Sequence, residues 1–240
     1  MEEVLQQLTQ RLARDLGDTL ISVVLFGSAA AGDYDSDCSD LNVLAVLTQV
    51  GPQELEQAYA TVDWWLKKKQ PVPVLLSLDE IENGADAFAI EFFDIRHAYR
   101  VLHGRDVIQA IDVDASHHRH QVEHELRSRL LRLRERYLAM QKDRKALVRL
   151  LSDSLPSFVT LFRHAALLTG GAPHMKKRDA VQEAAKRLGI EAAPFEEVIT
   201  VRNGEKKLAD AEITPLFDAY LREIDKAARF VDRLGVEGQA

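Results

Sequence analysis

The chain has 240 residues, of which 46% are hydrophobic and 29% are charged, and its formal net charge is −7. This composition supports one large or two small domains with hydrophobic cores, and no apolar run is long enough to span a bilayer. Residues 1–3 carry no basic-then-apolar leader and Cys38 is the single cysteine, so we expect a cytoplasmic protein without disulfides, neither secreted nor embedded in a membrane.

Charge is distributed unevenly along the chain. Residues 1–118 contain 20 acidic and 8 basic side chains, whereas residues 119–240 contain 18 acidic and 23 basic ones. The resulting balances, −12 and +5, predict two domains, 1–115 and 116–240. We expect the acidic first domain to favour bound metal ions.

Hydrophobic periodicity predicts an α/β first domain, and the family resemblance described below implies that its sheet is small and mixed. Leucines at helical spacing indicate helices, whereas short apolar, β-rich runs indicate buried strands. In chain order the pattern predicts a helix over 2–16, strands over 19–26 and 41–47, a helix over 52–69, a strand over 72–78, a helix beginning near 79 and a helix over 87–102. Gly104 is expected to end the last of these helices.

Only helical periodicity follows in the second domain. The pattern predicts a long helix over 119–151 and further helices over 158–168, 178–188, 195–201 and 213–234. Because no strand pattern competes, we predict an all-α helical bundle for residues 116–240.

The segment 23–47 combines a strand, a Gly-Ser turn, an acidic loop and a second strand. Gly27 and Ser28 come directly off the first strand and open a helical turn, so their backbone N–H groups and the hydroxyl are available to an anion. Asp40 and Asn42 begin the second strand two residues apart and therefore point to the same face, toward the Gly-Ser turn if the strands pair. This pattern predicts an anion site with two polar side chains directed toward it.

In type, order and spacing, Gly27, Ser28 and Asp40 resemble the signature of the DNA polymerase beta-like nucleotidyltransferase superfamily. With its helical second half, the chain is similar to the kanamycin- and streptomycin-type aminoglycoside nucleotidyltransferases and to the minimal nucleotidyltransferases paired with HEPN domains. The resemblance implies a nucleotidyltransferase fold in which Gly27 and Ser28 bind a nucleoside triphosphate such as ATP. It places Asp40 and Asn42 at the catalytic, Mg²⁺-binding positions.

The implied activity is transfer of a nucleotidyl group to a hydroxyl of a small molecule or protein, and many two-domain relatives complete their site across a homodimer. Asn42, however, stands where the superfamily has a second carboxylate, and a neutral amide attracts Mg²⁺ less strongly. An alternative is therefore a catalytically degenerate, nucleotide-binding sensor or partner-binding module. A third alternative is an antitoxin-like partner of a HEPN protein.

The third carboxylate that the superfamily uses is missing from the predicted strand 74–78. The candidates to replace it are Asp79, Glu80, Glu91 and Asp94, and the loop before Asp40 adds Asp33, Asp35 and Asp37. We interpret the three loop aspartates as solvated turn residues.

Polar residues of the second domain admit several interpretations. The histidines at 117, 118, 120 and 124 are predicted to lie on the surface, and Arg119 with His124 matches a HEPN-type Arg-x4-His pattern at an unusual position, the start of the bundle. Ten Lys or Arg residues in 119–149 spread around the helix, which favours a solvated helix over a nucleic-acid surface. Arg163 and His164, inside an apolar helix, fit either a substrate contact or a buried ion pair.

Overall fold

The computed structural model describes residues 1–31, 40–174 and 176–234. The chain forms two compact units, Met1–Asp114 and Ala115–Ala240. The first unit contains a four-stranded sheet with helices, and the described part of the second contains helices only, so the predicted fold class is confirmed. The elements of the first unit are α1 (Glu2–Leu16), a 3₁₀ turn (Gly17–Thr19), β1 (Leu20–Phe26), α2 (Ser28–Ala31), β2 (Asn42–Leu47), α3 (Pro52–Leu66), β3 (Val74–Ser77), α4 (Leu78–Asn83), α5 (Ala89–His97) and β4 (Tyr99–Gly104).

The sheet is mixed and has the strand order β3-β2-β1-β4. β1 pairs antiparallel with both β2 and β4, whereas β2 pairs parallel with β3. At the end of β1, Phe26 lies opposite Asn42 on one side and Tyr99 on the other. The turn at residue 27 therefore leaves the sheet between the beginnings of two neighbouring strands.

The two faces of the sheet carry separate hydrophobic cores. On one face, α1 and α3 pack through residues such as Leu12 and Trp65 against Val43 and its neighbours. On the other face, α5 packs through Phe92 against Leu44 and the rest of a second cluster. Successive residues of β2 thus serve opposite cores, as the twofold periodicity of a strand requires.

The expected helix over 87–102 is wrong in its last third. α5 ends at His97, and residues 99–104 form the edge strand β4, which pairs with β1. Phe88, Phe92 and Tyr99 share a helical spacing, but Tyr99 is in fact opposite Phe26 in the sheet. Pairing with a strand more than seventy residues away decides this segment, and local periodicity does not report such pairing.

A buried hydrogen bond between the α1 and α3 helices is expected to depend on pH. The hydroxyl of Thr61, which is fully buried, donates to Asp15 Oδ2 at 2.5 Å, and Arg14 contacts the other carboxylate oxygen at 2.6 Å. Burial of Asp15 opposes ionisation, but these hydrogen bonds outweigh it and hold the pKa of Asp15 below its ordinary value. Their contribution to stability is therefore present at neutral pH and is lost as the pH falls through the lowered pKa.

We expect Thr61→Val to lower the free energy of unfolding at pH 7 by about 1.5–3 kcal/mol, the usual value for a hydrogen bond to a charged group. The difference from the wild type should shrink in acid, where Asp15 is protonated. Urea unfolding at pH 7 and in acid measures the difference in the free energy of unfolding between Thr61→Val and the wild type. Thr61→Ser, which keeps the hydroxyl, is the control. An equal deficit at both pH values would contradict the role of the Asp15 charge.

The second unit consists of α6 (Ala115–Met140), α7 (Arg144–Leu167), α8 (Lys177–Leu188), α9 (Ala193–Arg202) and α10 (Asp210–Arg233). The expected single helix over 119–151 is wrong, because α6 ends at Met140 and α7 begins at Arg144. The side chain of Asp143 caps α7 by accepting from the N–H of Ala146 at 2.9 Å. An aspartate in this role is a recognised helix-start signal, so the break could have been found from the sequence.

Aromatic side chains occupy the centre of this bundle. Phe195 lies 4.8 Å from Phe162 and 4.9 Å from Tyr220, measured between ring centroids. Tyr220 is fully buried, its hydroxyl lies 3.2 Å from Ser154 Oγ, and burial raises its pKa above the ordinary value. Across the described ranges, no helix is both long and apolar enough to cross a membrane.

Candidate functional site

The turn after β1 is held from both sides by backbone hydrogen bonds. Gly27 has a φ of +80°, its N–H donates to the carbonyl of Ala98 at 3.0 Å, and its own carbonyl accepts from Ala30 and Ala31. At such a helix start, the N–H groups of residues 28 and 29 have no acceptor within the helix. The side chain of Ser28 and the predicted loop residues Asp33, Asp35, Asp37 and Cys38 lie outside the described residues.

Asn42 packs its amide against this turn. A Cβ placed on Gly27 would lie 3.3 Å from Asn42 Nδ2, which is closer than ordinary van der Waals contact. The antiparallel pairing of Phe26 with Asn42 causes this approach, because it sets the first residue of β2 beside the last residue of β1. Glycine therefore serves two purposes at position 27, since it adopts a positive φ and leaves room for the amide.

Asp40 is exposed and lies just before β2. The next residue, Leu41, is buried in the core under α1 and α3, and its N–H donates to Gln70 Oε1 at 2.8 Å. Because strand residues alternate, Asn42 at the start of β2 points away from that core, toward the face that α5 covers. The Gln70 contact was not predicted, and no sequence pattern marks it.

The neighbouring strand β3 presents valine on the same face. Val74 lies opposite Leu44 and is 44% exposed, whereas the next residue, Leu75, packs toward α1 and α3. Val72, two residues earlier, is 58% exposed. Apolar side chains therefore stand on the strand from which the superfamily resemblance implies a third carboxylate.

Two of the four candidate carboxylates are engaged in the short helix α4. Glu80 Oε2 accepts from the N–H of Ser77 at 2.7 Å and from its hydroxyl at 2.9 Å, while Asp79 accepts from the side chain of Asn83 at 2.8 Å. Glu80 thus completes a capping box with Ser77, and Asp79 accepts a side-chain hydrogen bond one turn along the same helix, so both acids have structural partners.

The other two candidates, Glu91 and Asp94, lie on α5. This helix covers the face of the sheet toward which Asn42 points, with Phe92 in its core. Glu91 is exposed and Asp94 is half-buried. α5 is thus the element that carries further carboxylates to this face of the sheet.

The oxygen donors of this site suit a metal ion that arrives with a phosphate ligand. No cluster of three or more His, Cys, Asp or Glu side chains within residues 1–31, 40–174 and 176–234 could hold a metal on its own. Mg²⁺, however, is commonly bound by one or two carboxylates together with the phosphates of a substrate. The carboxylate of Asp40 and the amide oxygen of Asn42 fit that arrangement. Together they carry one negative charge, whereas the two carboxylates that the superfamily resemblance implies would carry two.

The sequence predicts that the histidines at 117, 118, 120 and 124 lie on the surface. This prediction is wrong for His118. His118 is 3% exposed, and its Nε2 lies 2.9 Å from Nδ1 of the fully buried His164. Arg163 Nη2 lies 3.4 Å from the other ring nitrogen of His164. His117, His120 and His124 are exposed, in agreement with the expectation.

Arg119 has a structural role in the bundle. It pairs with Glu123 on its own helix at 3.1 Å and donates to the carbonyl of Val231 in α10 at 3.3 Å. His124, by contrast, is exposed and lies 3.4 Å from Ser128 Oγ. These contacts explain Arg119 without a ribonuclease motif.

Several arginines of α6 pair with acids of the same bundle. Arg127 contacts Glu123 at 2.8 Å and Asp232 of α10 at 3.1 Å, and Arg129 contacts Glu125 at 2.8 Å. Desolvation of Glu123 opposes its ionisation, but its arginine partners hold its pKa below the ordinary value. The basic helix is therefore largely neutralised within the unit, which favours a structural role.

The first unit thus has a strand that ends in a glycine turn, a short helix after it, and a second strand that begins with Asn42 beside that turn. Residues 5–97 match the family model of the nucleotidyltransferase domain, a range that spans α1 to α5. The predicted resemblance to nucleotidyltransferases is thereby confirmed.

Among solved structures, the fold is similar to that of spectinomycin adenyltransferase AAD(9) from Enterococcus faecialis, a crystal structure with ATP and spectinomycin. The TM-score is 0.61 at 13% sequence identity, and the match covers 96% of this chain and 99% of that chain. No curated protein matches this sequence. The structural match extends the likeness beyond residue 97 into β4 and the helices of the second unit.

Proposed function

We propose that this protein binds a magnesium–nucleoside triphosphate, ATP in the first instance, and transfers its nucleotidyl group to a hydroxyl of a small molecule or protein in the cytoplasm. Gly27 and Ser28 would bind the phosphates, and Asp40 and Asn42 would hold the metal. The observation that carries the proposal is the contact of the Asn42 amide with the Gly27 turn. This contact supports the proposal because Gly27, which we assign to the phosphates, and Asn42, which we assign to the metal, lie side by side.

The proposed reaction is an in-line displacement at the α-phosphorus. The acceptor hydroxyl oxygen forms a new bond to phosphorus, the bond from the α-phosphorus to the bridging oxygen breaks, and pyrophosphate leaves. The hydroxyl proton passes to a carboxylate, for which Glu91 and Asp94 on α5 are the candidates. When bound, Mg²⁺ supplies positive charge to the phosphates, and the residues of this chain align the groups around it.

A small hydroxyl compound is the acceptor to test first. The structurally similar AAD(9) is described with ATP and spectinomycin, and its fold matches both units of this chain. Spectinomycin and related aminocyclitols therefore head an acceptor panel, followed by protein hydroxyls.

A second candidate function is nucleotide binding without turnover. Asn42 provides no charge to the metal, and Val74 provides no carboxylate from β3. These two substitutions favour a sensor or partner-binding module that retains the Gly27 turn and Asp40. The two candidates share nucleotide binding and differ in pyrophosphate release.

Thermal unfolding with each nucleoside triphosphate, with and without Mg²⁺, tests the shared step. A ligand at about 100 times its dissociation constant stabilises the folded state by about 2.7 kcal/mol, which raises the melting temperature by several degrees in a chain of this size. We expect such a shift with Mg²⁺–ATP, and we expect Asp40→Ala to abolish it.

Asp18→Ala is the matched control, because Asp18 is an exposed aspartate of the same unit in the 3₁₀ turn before β1. It should leave the shift intact. If no nucleotide raised the melting temperature, or if Asp40→Ala and Asp18→Ala behaved alike, the proposed site would be wrong.

A further inference from the structure

The connection between α3 and β3 contacts the segment that leads into β2. The backbone N–H of Leu41, the residue after Asp40, donates to Gln70 Oε1 at 2.8 Å. Leu41 is buried, and the parallel pairing of β2 with β3 begins at Leu44, three residues further along the chain. Because a buried N–H requires an acceptor, the side chain of Gln70 provides one ahead of the first pair of strand residues.

The backbone around Gln70 is restrained on both sides. Before it, Lys69 turns the chain after α3 with a φ of +61°, a conformation that a residue with a Cβ adopts only at an energetic cost. After it, Pro71 disfavours helical backbone angles at Gln70. The carbonyl of Pro71 accepts from Nε1 of the fully buried Trp65 at 2.8 Å. The half-buried Gln70 side chain is therefore presented from a connection that is anchored in the core.

The Gln70 hydrogen bond orients the residue before Leu41. The N–H of Leu41 and the carbonyl of Asp40 belong to one planar peptide group, so an acceptor for that N–H orients the whole group. Two residues along the chain, Asn42 pairs with Phe26, and its amide lies beside Gly27. The hydrogen bond thus restricts the backbone of Asp40, and with it the place of the Asp40 carboxylate relative to Asn42.

We propose that Gln70 is a positioning residue for the magnesium–nucleotide site, whose side-chain oxygen holds the peptide group between Asp40 and Leu41 and so places the Asp40 carboxylate. The inference rests on the proposed function, in which Asp40 holds the metal ion. Because Asn42 is neutral, the charge of this pair of ligands belongs to Asp40 alone, and binding depends on where that carboxylate lies. If Gln70 only satisfied a buried N–H, its loss would lower stability and leave the affinity of the folded protein unchanged.

Gln70→Met and Gln70→Glu separate the acceptor oxygen from the bulk of the side chain. Methionine has a similar length but no oxygen, whereas glutamate keeps an acceptor for the Leu41 N–H. Calorimetric titration of Mg²⁺ in the presence of ATP, at a temperature below the melting transition, measures binding by folded molecules. We expect Gln70→Met to raise the half-saturating Mg²⁺ concentration by about tenfold, the equivalent of one lost hydrogen bond. Gln70→Glu should bind at least as tightly as the wild type.

Thr61→Val is the matched control for a general loss of stability. It also removes a side-chain hydrogen bond from the first unit, but that bond joins α3 to Asp15 of α1. It should therefore leave the dependence on Mg²⁺ unchanged. Hydrogen exchange of the Leu41 amide in the ligand-free protein, followed by NMR, is a readout that needs no nucleotide. Exchange should be faster in Gln70→Met than in the wild type, and slow again in Gln70→Glu.

The outcomes distinguish this inference from the proposed function. If the wild type bound Mg²⁺–ATP and Gln70→Met bound it equally well, the role of Gln70 would be wrong and the proposed function would stand. The role would also be wrong if Gln70→Met and Gln70→Glu were weakened alike. If the wild type bound no nucleotide, the proposed function and this role would both be wrong, even if Gln70 still protected the Leu41 amide from exchange.

Discussion

Replacing Asn42 with aspartate is expected to raise magnesium-dependent nucleotidyl transfer by about tenfold or more, since each ~1.4 kcal/mol of added transition-state stabilisation is worth a factor of ten. The amide of Asn42 already lies against the Gly27 turn, so an isosteric carboxylate would occupy the same place. It would add a second charged oxygen beside Asp40, which strengthens binding of Mg²⁺ to the nucleotide complex. Pyrophosphate release in the presence of the acceptor panel measures the rate, and a Mg²⁺ titration should show a lower half-saturating concentration.

Asn42→Ala is the control for this gain. It removes the amide without adding charge, so it should lower or leave unchanged both the rate and the affinity for Mg²⁺. If Asn42→Asp tightened Mg²⁺–ATP binding but released no pyrophosphate with any acceptor, the second candidate, nucleotide binding without turnover, would be the better account. If it changed neither binding nor rate, Asn42 would not face the metal.

Gly104→Ala is expected to destabilise the first unit strongly. Gly104 ends β4 with a φ of +76°, and a Cβ there would lie 1.9 Å from the carbonyl oxygen of Ile21 in β1. This contact is between backbone atoms, so no side chain can turn away to relieve it. We expect a loss of about 3 kcal/mol or more, from the clash added to the strained conformation. Thermal unfolding should show a fall of about 6–12 °C.

Gly17→Ala separates the two causes. Gly17 also has a positive φ, +53°, but a Cβ there would meet no atom within 4 Å. Only the backbone conformation is then penalised, at about 1–3 kcal/mol. If the two variants lost equal stability, the close approach of β4 to β1 would not be the reason that position 104 requires glycine.

The sequence predicted the arrangement of Gly27 and Asn42 more fully than the surroundings of the candidate carboxylates. Alternation along a strand is enough to place Asp40 and Asn42 on one face, and a glycine after a strand is enough to predict the turn. The surroundings of the four other candidate carboxylates could not be predicted, because Glu80, which caps a helix, and Glu91, which is exposed on α5, look alike in sequence. Hydrogen bonds of α4 distinguish them only once the fold is formed.

Helix boundaries were predictable where the signal is local. The α1 helix and the strands β1 and β2 follow from spacing and apolar runs, and the cap at Asp143 was available in the sequence although the long pattern around it concealed the break. In the second unit, His118 and His164 were expected to have different surroundings, yet they form a buried pair at 2.9 Å. They are 46 residues apart, and only the packing of α6 on α7 brings them together.

By itself, the sequence determined that this chain has an α/β first half with a nucleotidyltransferase motif and a helical second half. These features depend on periodicity and on turn chemistry, which act between residues a few positions apart. Tertiary structure alone decided that residues 99–104 are a strand, that Val74 lies on the sheet face that α5 covers, and that Leu55, Tyr59 and Leu66 of α3 remain exposed. Each of these depends on which surfaces meet across the fold, and the free energy of such contacts comes from pairing and burial between distant segments, which no local pattern records.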